Sequence, residues 1–340
     1  MKNVCPRRSA VAAILTALLL TPLSAAPVDH TIGPEGLRIR GVGPDNPIIY
    51  DNDWWWDTPD KNYLYTLASL GKARLVGQIA SRDLWDAAKG YHYSLEDSLK
   101  EARKWTEMAR QSGLKNLPNP AQGADRVFVR PITGRIEDTV PRPCEGAYLI
   151  VAEARKASPE KPLLIFVGGP LNTVANALLT DPSITNRIIV FMTDIRGYNG
   201  QDPWANWIVS KWAPLVNFGA EYWWPQRPQP PVLPIDRCRR LPDCELNRDL
   251  TGLAQKFWDR STRQEKPDRD DGFADGAPVF LPFQPRTWLG VRRLHAEEVF
   301  QPKETTERQY DYLDATQCDF GLMTEEFFRI VGNPDAYARK

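Results

Sequence analysis

Four carboxylates fall within ten residues: Asp51, Asp53, Asp57 and Asp60 follow the apolar run Pro47–Tyr50, with Asn52 and the tryptophans Trp54, Trp55 and Trp56 set among them. Carboxylates crowded this closely repel one another unless a cation, a shared proton or solvent offsets their charge. Hard divalent cations such as calcium and magnesium take this kind of oxygen-rich ligand set. A carboxylate held beside such an ion can also take a proton from water, as a general base. The competing reading is a solvated turn in which Asp57 or Asp60 stabilises the N-terminus of the next helix.

Three later segments carry similar potential. Leu163 to Val167 runs into Gly168-Gly169-Pro170-Leu171-Asn172-Thr173 and then an amphipathic pattern. Glycines allow the backbone to approach a ligand closely, and carbonyls turned out ahead of a helix, Leu171 among them, can coordinate a cation. Gly200 to Trp207 offers Gln201, Asp202 and Asn206 as hydrogen-bonding groups, with Asp202 before Pro203 also readable as a helix cap. Phe273 to Val279 places Asp275 beside Gly276, with Asp270 and Asp271 nearby; an aspartate next to glycine is also an ordinary turn signal. Trp54, Trp55, Trp56, Trp204, Trp207, Trp223 and Trp224 adjoin these loops, where indole could stack on a flat ligand or pack in the core. His30, His92 and His295 sit in no recognised motif.

The elements that must position these residues read as an α/β fold. Strands are expected at 47–52, 73–80, 162–168 and 187–192, separated by helical patterns, which implies a mostly parallel central sheet flanked by helices. Leu171, Val174, Ala175, Leu178 and Leu179 share one helical face, and Asp181-Pro182 ends that pattern. Ser94 and Asp97 form a capping box for a helix through Leu95, Leu99, Ala102 and Ala109. In an open parallel sheet, ligands sit outside the carboxyl ends of the strands, where the acidic segment falls.

Composition narrows the classes. Residues 1–26 read as a secretory leader, with Lys2, Arg7 and Arg8, an apolar stretch Ala10 to Leu20, and a small-residue exit at Ser24-Ala25-Ala26. Secreted or periplasmic placement follows, and residues 27–340 form a single domain with a Pro-rich surface excursion near 223–245. Removing three basic residues turns 43 basic against 43 acidic into 40 against 43. That balance argues against a nucleic-acid partner, and no later run is long enough to span a membrane. Four cysteines remain beyond the leader, suggesting the pairs Cys238 with Cys244 and Cys144 with Cys318.

The residues Asp51-Asn52-Asp53-Trp54-Trp55-Trp56-Asp57-Thr58 and Gly169-Pro170-Leu171-Asn172-Thr173 resemble motifs of the inosine/uridine-preferring nucleoside hydrolases. The resemblance implies a Rossmann-like fold and hydrolysis of the N-glycosidic bond of a nucleoside or related N-ribosyl compound. It implies Asp53 as general base and calcium ligand, Asp57 beside the ribose, and a metal shell drawn from Asp53, Asp57, Asp60, Leu171 and Asp275. Asn172 and Asn206 would orient the sugar, and Trp54 and Trp204, from their place beside these loops and not from the family motif, are expected to line the substrate. Calcium is the implied cofactor, a small-molecule nucleoside the implied partner, and a homo-oligomer is compatible. Thr58, Trp54 and Trp55 depart from the family pattern, where the motif has aspartate and Pro-Gly. Two other readings are a secreted, non-catalytic carbohydrate- or nucleoside-binding domain of the same fold, and a haloacid-dehalogenase-like phosphatase with Asp51 as nucleophile.

Overall fold

The computed structural model describes residues 30–32, 37–39, 41–54, 58–84, 94–142, 144–195, 199–218, 233–262, 276–294 and 312–337. The leader, Asp57, Asp275, His92 and His295 lie outside the described residues.

Two short strands, β1 (His30–Ile32) and β2 (Leu37–Ile39), form an antiparallel pair. The main sheet contains β3 (Pro47–Asn52), β4 (Arg74–Ala80), β5 (Pro120–Gln122), β6 (Leu163–Gly168), β7 (Ile188–Thr193), β8 (Leu215–Phe218), β9 (Trp288–Leu294) and β10 (Tyr312–Cys318). Its order is β5-β4-β3-β6-β7-β8-β10-β9, parallel throughout except that β9 runs antiparallel to β10 at the edge. The four expected strands are present to within a residue at each end.

Both faces of this sheet are covered, which is why β3, β6 and β7 are continuous apolar runs. Ile48 and Tyr50 point into one apolar cluster, which includes residues of the helices Thr58–Ser69, Leu95–Gln111, Glu245–Thr262 and Phe320–Val331. Ile49, one residue out of phase, points into the other, built on the helices Glu145–Lys156, Asn172–Thr180 and Pro203–Trp212. A one-residue slip of β3 would exchange the two faces, so burial on both sides holds its register.

The later part of the chain differs from expectation. The strands β8, β9 and β10 and the helices Glu245–Thr262 and Phe320–Val331 were not legible in the sequence. The Pro-rich excursion is not wholly a surface feature either: Leu233 and Cys238 are buried in the first cluster, where an apolar side chain and a thiol gain from leaving water. Neither expected disulfide forms, and Cys144, Cys238, Cys244 and Cys318 are thiols. Cys144 heads a helix that packs on β4 and β5, whereas Cys318 ends β10, with β3, β6, β7 and β8 between them.

The helix Leu95–Gln111 has the expected capping box: Asp97 N donates to Ser94 Oγ at 3.1 Å, and Ser94 N donates to Asp97 Oδ2 at 2.9 Å. Ser94→Ala removes one of these bonds and should lower stability by about 1 kcal/mol. Urea unfolding of the two proteins at unchanged slope checks this.

Candidate functional site

The sheet order creates a switch point. From β3 the chain moves outward through β4 and β5, then returns to place β6 on the other side of β3, which opens a crevice at the carboxyl ends of β3 and β6. Asn52 pairs in register with Gly168 there. The next residue on each strand keeps this proximity: a Cβ placed on Gly169 would lie 3.4 Å from Asp53 N and 3.5 Å from Asp53 Cβ. The acidic loop and the glycine loop therefore meet at Asp53.

Asp53 sits at a corner held from several sides. Trp54 adopts φ 66°, a left-handed conformation that costs a bulky residue on the order of 1–2 kcal/mol. Three interactions hold it there: Asn52 Oδ1 accepts from Trp54 N at 2.5 Å, the indole N–H donates to the Ile79 carbonyl at 2.8 Å, and the ring packs edge-on to Tyr50 at 5.5 Å between centroids. Ser98 Oγ, on the capped helix, donates to the Asp53 carbonyl at 2.7 Å. Asp53 itself is nearly buried, and Trp54 is a fully buried core residue. The ring expected to line a substrate is instead the wedge that turns the chain behind Asp53.

Beneath this corner, Asp51 faces the second cluster. Ser81 Oγ donates to Asp51 Oδ1 at 2.6 Å and lies 2.8 Å from Thr173 Oγ1, which accepts from Ala124 N at 2.9 Å. Asp51 Oδ2 and Asn52 Nδ2 have no hydrogen-bond partner among the described residues. Burial pushes the Asp51 carboxyl up to about 7, and the Ser81 hydroxyl offsets this only in part.

On the other side of the crevice, Asp202 does two jobs. Its Oδ1 accepts from Trp204 N at 3.0 Å and Ala205 N at 3.1 Å, capping the helix Pro203–Trp212. Its Oδ2 accepts from Phe128 N at 2.7 Å and Asn172 Nδ2 at 2.5 Å. Burial raises the Asp202 carboxyl, against the pull of these donors. Asn172 Nδ2 also donates to the Arg126 carbonyl at 2.9 Å, while its buried Oδ1 has no partner among the described residues. Asn206, one turn into the helix, is buried with both amide atoms in the same condition.

Two expectations change here. The Leu171 carbonyl accepts from Ala175 N at 2.9 Å, so it points along the helix Asn172–Thr180 as its first acceptor and not outward to a cation. Trp204 is buried in the second cluster with its N–H donated to Thr139 Oγ1 at 2.9 Å, a packing role and not an exposed stacking face.

Asp60 lies on the first turn of the helix Thr58–Ser69 and is buried, and its Oδ2 accepts from Tyr50 OH at 2.6 Å. A Cβ on Gly276 would lie 1.9 Å from Asp60 Cβ, so only glycine fits there and the backbone next to Asp275 is packed onto Asp60. The late segment therefore reaches the early acids. Among the described residues, no three histidine, cysteine or acidic side chains are grouped to hold a metal ion. Several buried polar groups near these acids had no signal in the sequence. Ser81 follows β4 as an ordinary loop residue in it, Thr173 stands in the glycine-loop motif with no role assigned to its side chain, and Asn62 is buried with neither amide atom partnered among the described residues. Lys61 is buried over the Trp105 ring at 4.1 Å, although its type and charge read as a solvated helix position.

The sequence matches no protein-family model and no curated protein. Solved structures do match. A purine-preferring ribonucleoside hydrolase from Gardnerella vaginalis aligns with a TM-score of 0.58 at 15% identity, covering 85% of this chain and 99% of that one. An inosine-guanosine nucleoside hydrolase aligns with a TM-score of 0.59 at 14% identity, covering 87% and 100%. The chain has the nucleoside hydrolase fold. The same fold is shared by the type III effector XopQ, solved with adenosine diphosphate ribose, at a TM-score of 0.53 and 11% identity over 87% of this chain and 95% of that one.

Asp202→Asn tests the clamp on this nucleoside hydrolase-like frame. One oxygen is replaced by an N–H group facing donors, which should cost about 1–3 kcal/mol of stability. Chemical unfolding measures that loss, and amide exchange at Phe128 should quicken.

Proposed function

We propose that this chain hydrolyses the N-glycosidic bond of a nucleoside or related N-ribosyl compound, with Asp53 as the general base. The observation that supports this most directly is the meeting of Asp53 with the Gly169 loop at the switch point of a nucleoside hydrolase fold. A nearly buried carboxylate at the carboxyl end of a central strand, with an anchored backbone, is placed to take a proton from an attacking water. Partial removal from solvent also strengthens its interaction with the positive charge that develops on a ribosyl group during cleavage.

The residues suit a calcium ion by donor chemistry. The early acids supply only oxygen, and Asp51 Oδ2 is buried without a hydrogen-bond partner among the described residues, an orphaned oxygen of the kind a hard cation takes. Asp53, Asp57, Asp60 and Asp275 are the residues proposed to hold it; the Leu171 carbonyl, which faces into its own helix, is not among them. Calcium, when bound, supplies positive charge that grips ribose hydroxyls and acidifies a nearby water. Asn172 Oδ1 and the Asn206 amide are proposed to take ribose hydroxyls, since each keeps polar atoms without partners among the described residues. Asp57 is assigned to the ribose on the resemblance. Passage through the secretory route, directed by residues 1–26, is part of the same proposal.

A second reading is a non-catalytic binder of a ribosyl ligand. It is favoured by the use of Trp54, Trp204 and Asp202 for packing and capping, and by a structural neighbour solved with adenosine diphosphate ribose. The phosphatase reading loses support because Asp51 is fully buried and bonded to Ser81, leaving its carboxylate no open approach to a phosphate ester.

Base release from a panel of purine and pyrimidine nucleosides, and from adenosine diphosphate ribose, tests the proposal on the purified protein. Asp53→Asn should reduce turnover at least a thousandfold with an unchanged melting temperature, because it removes the proton acceptor without altering the volume. Chelator should reduce the wild-type rate at least a hundredfold, and added calcium should restore it. A fully active Asp53→Asn protein would remove that residue from the reaction, and calorimetric binding without any base release would favour the binder.

A further inference from the structure

The residues that follow β4 carry a charge that neither the fold nor the proposed chemistry uses. Ser81 N donates to the Asn52 carbonyl at 3.0 Å, beside the bond from Ser81 Oγ to Asp51. Arg82 N donates to the Ala124 carbonyl at 3.1 Å, and Leu84 N donates to Gln201 Oε1, next to Asp202. The segment 81–84 therefore runs from the acids of β3 across the crevice to its far bank, and Arg82 stands within this crossing.

The partly buried Arg82 guanidinium is poorly served there. Its Nε is buried with no acceptor among the described residues, and its Nη1 reaches the Asp125 carbonyl at 3.4 Å, long for an N–H···O bond. The Asp125 carboxylate is engaged by Arg126 at 3.3 Å. Arg110, on the helix Leu95–Gln111, shows the contrast: its Nη2 donates to the Leu117 carbonyl at 2.9 Å and to Asn119 Oδ1 at 2.7 Å. A guanidinium stays protonated and carries five N–H donors, so holding one partly out of water with so little acceptance is unfavourable. A carboxylate or phosphate matches its fork with two parallel bonds.

Position identifies the ligand that would meet it. The Asp125 carbonyl that takes Arg82 is followed by the Arg126 carbonyl that takes Asn172 Nδ2 at 2.9 Å. Consecutive Cα atoms are about 3.8 Å apart, so the guanidinium and the Asn172 amide end within one nucleotide's length of each other. Asn172 Oδ1 is the atom assigned to a ribose hydroxyl, and a ribosyl ligand seated on it brings a substituent within reach of Arg82. We propose that Arg82 takes an oxyanion of that ligand, a phosphate on the sugar or a carboxylate on the base, which makes the preferred ligand an anionic N-ribosyl compound and not a neutral nucleoside. The inference rests on the ribosyl reading of the crevice and gives Arg82 the specificity-determining role within it.

Calorimetric binding of uridine, of uridine 5′-monophosphate, which adds a phosphate, and of orotidine, which adds a carboxylate, tests it on the Asp53→Asn protein, where turnover should not consume the ligands. One anionic ligand should bind about thirtyfold or more tighter than uridine, and which one it is identifies the oxyanion. Adding Arg82→Gln should erase that margin and leave the uridine affinity within about twofold, since the lost contact is to the charged group alone. Arg82→Lys keeps the charge and should fold even where Arg82→Gln does not; without the fork, it should cut the margin about threefold or more. Uridine binding as tightly as both anionic ligands would overturn this inference alone. A margin undiminished in either Arg82 variant would also overturn it, assigning the anion to another cation. Binding of none of the three would overturn it together with the ribosyl reading.

Discussion

Carboxylates at the end of a strand covered on both faces have little water to solvate their charge, and the geometry around Asp51 and Asp53 follows from that constraint. Asp51, fully buried, meets it through the Ser81 hydroxyl and by favouring the protonated form. Asp53, one step further out, lies beside the Gly169 loop with its carbonyl tied to Ser98. The two acids are two residues apart and therefore on the same side of the alternation, yet the turn at Trp54 gives them different surroundings. A buried carboxylate beside a more peripheral one is a common way for a site to separate the protonation states of two like groups.

The left-handed Trp54 links this electrostatic arrangement to packing. A bulky residue persists at positive φ only where neighbours over-determine it. Here the Asn52 side chain, the Ile79 carbonyl and the Tyr50 ring do so, and Tyr50 in turn donates to Asp60. Gly276 closes the group from the late part of the chain. The core residues of β3 and the acids at its end are thus one mechanical unit, and a cavity in that core would be felt at Asp53.

Asp202 has the equivalent part on the far side of the crevice. Its cap orients the helix Pro203–Trp212, and its second oxygen holds both Asn172 and the backbone at Phe128. The loop 124–142 is therefore anchored through the same side chains that border the crevice, Asn172 and Asp202, so order in one supports order in the other.

Local patterning determined much of the architecture in advance. β3, β4, β6 and β7, the helix after Gly169 and the capping box at Ser94 were all legible, because apolar periodicity and cap chemistry act over a few residues. β8 was missed because it spans only four residues and includes the polar Asn217. The strands and helices after residue 240 lie among charged and Pro-rich stretches that mask their periodicity. At the site, the sequence supplied the acids, the glycine loop and the choice between ligand and cap at Asp202. Only the tertiary structure decided that Leu171 bonds within its helix, that Trp54 and Trp204 are core, that Asp51 pairs with Ser81, and that Gly276 packs on Asp60. The physical reason is range. Propensity and periodicity are properties of neighbours in the chain, whereas desolvation and hydrogen-bond partnership depend on which distant segments the sheet order brings to the same edge.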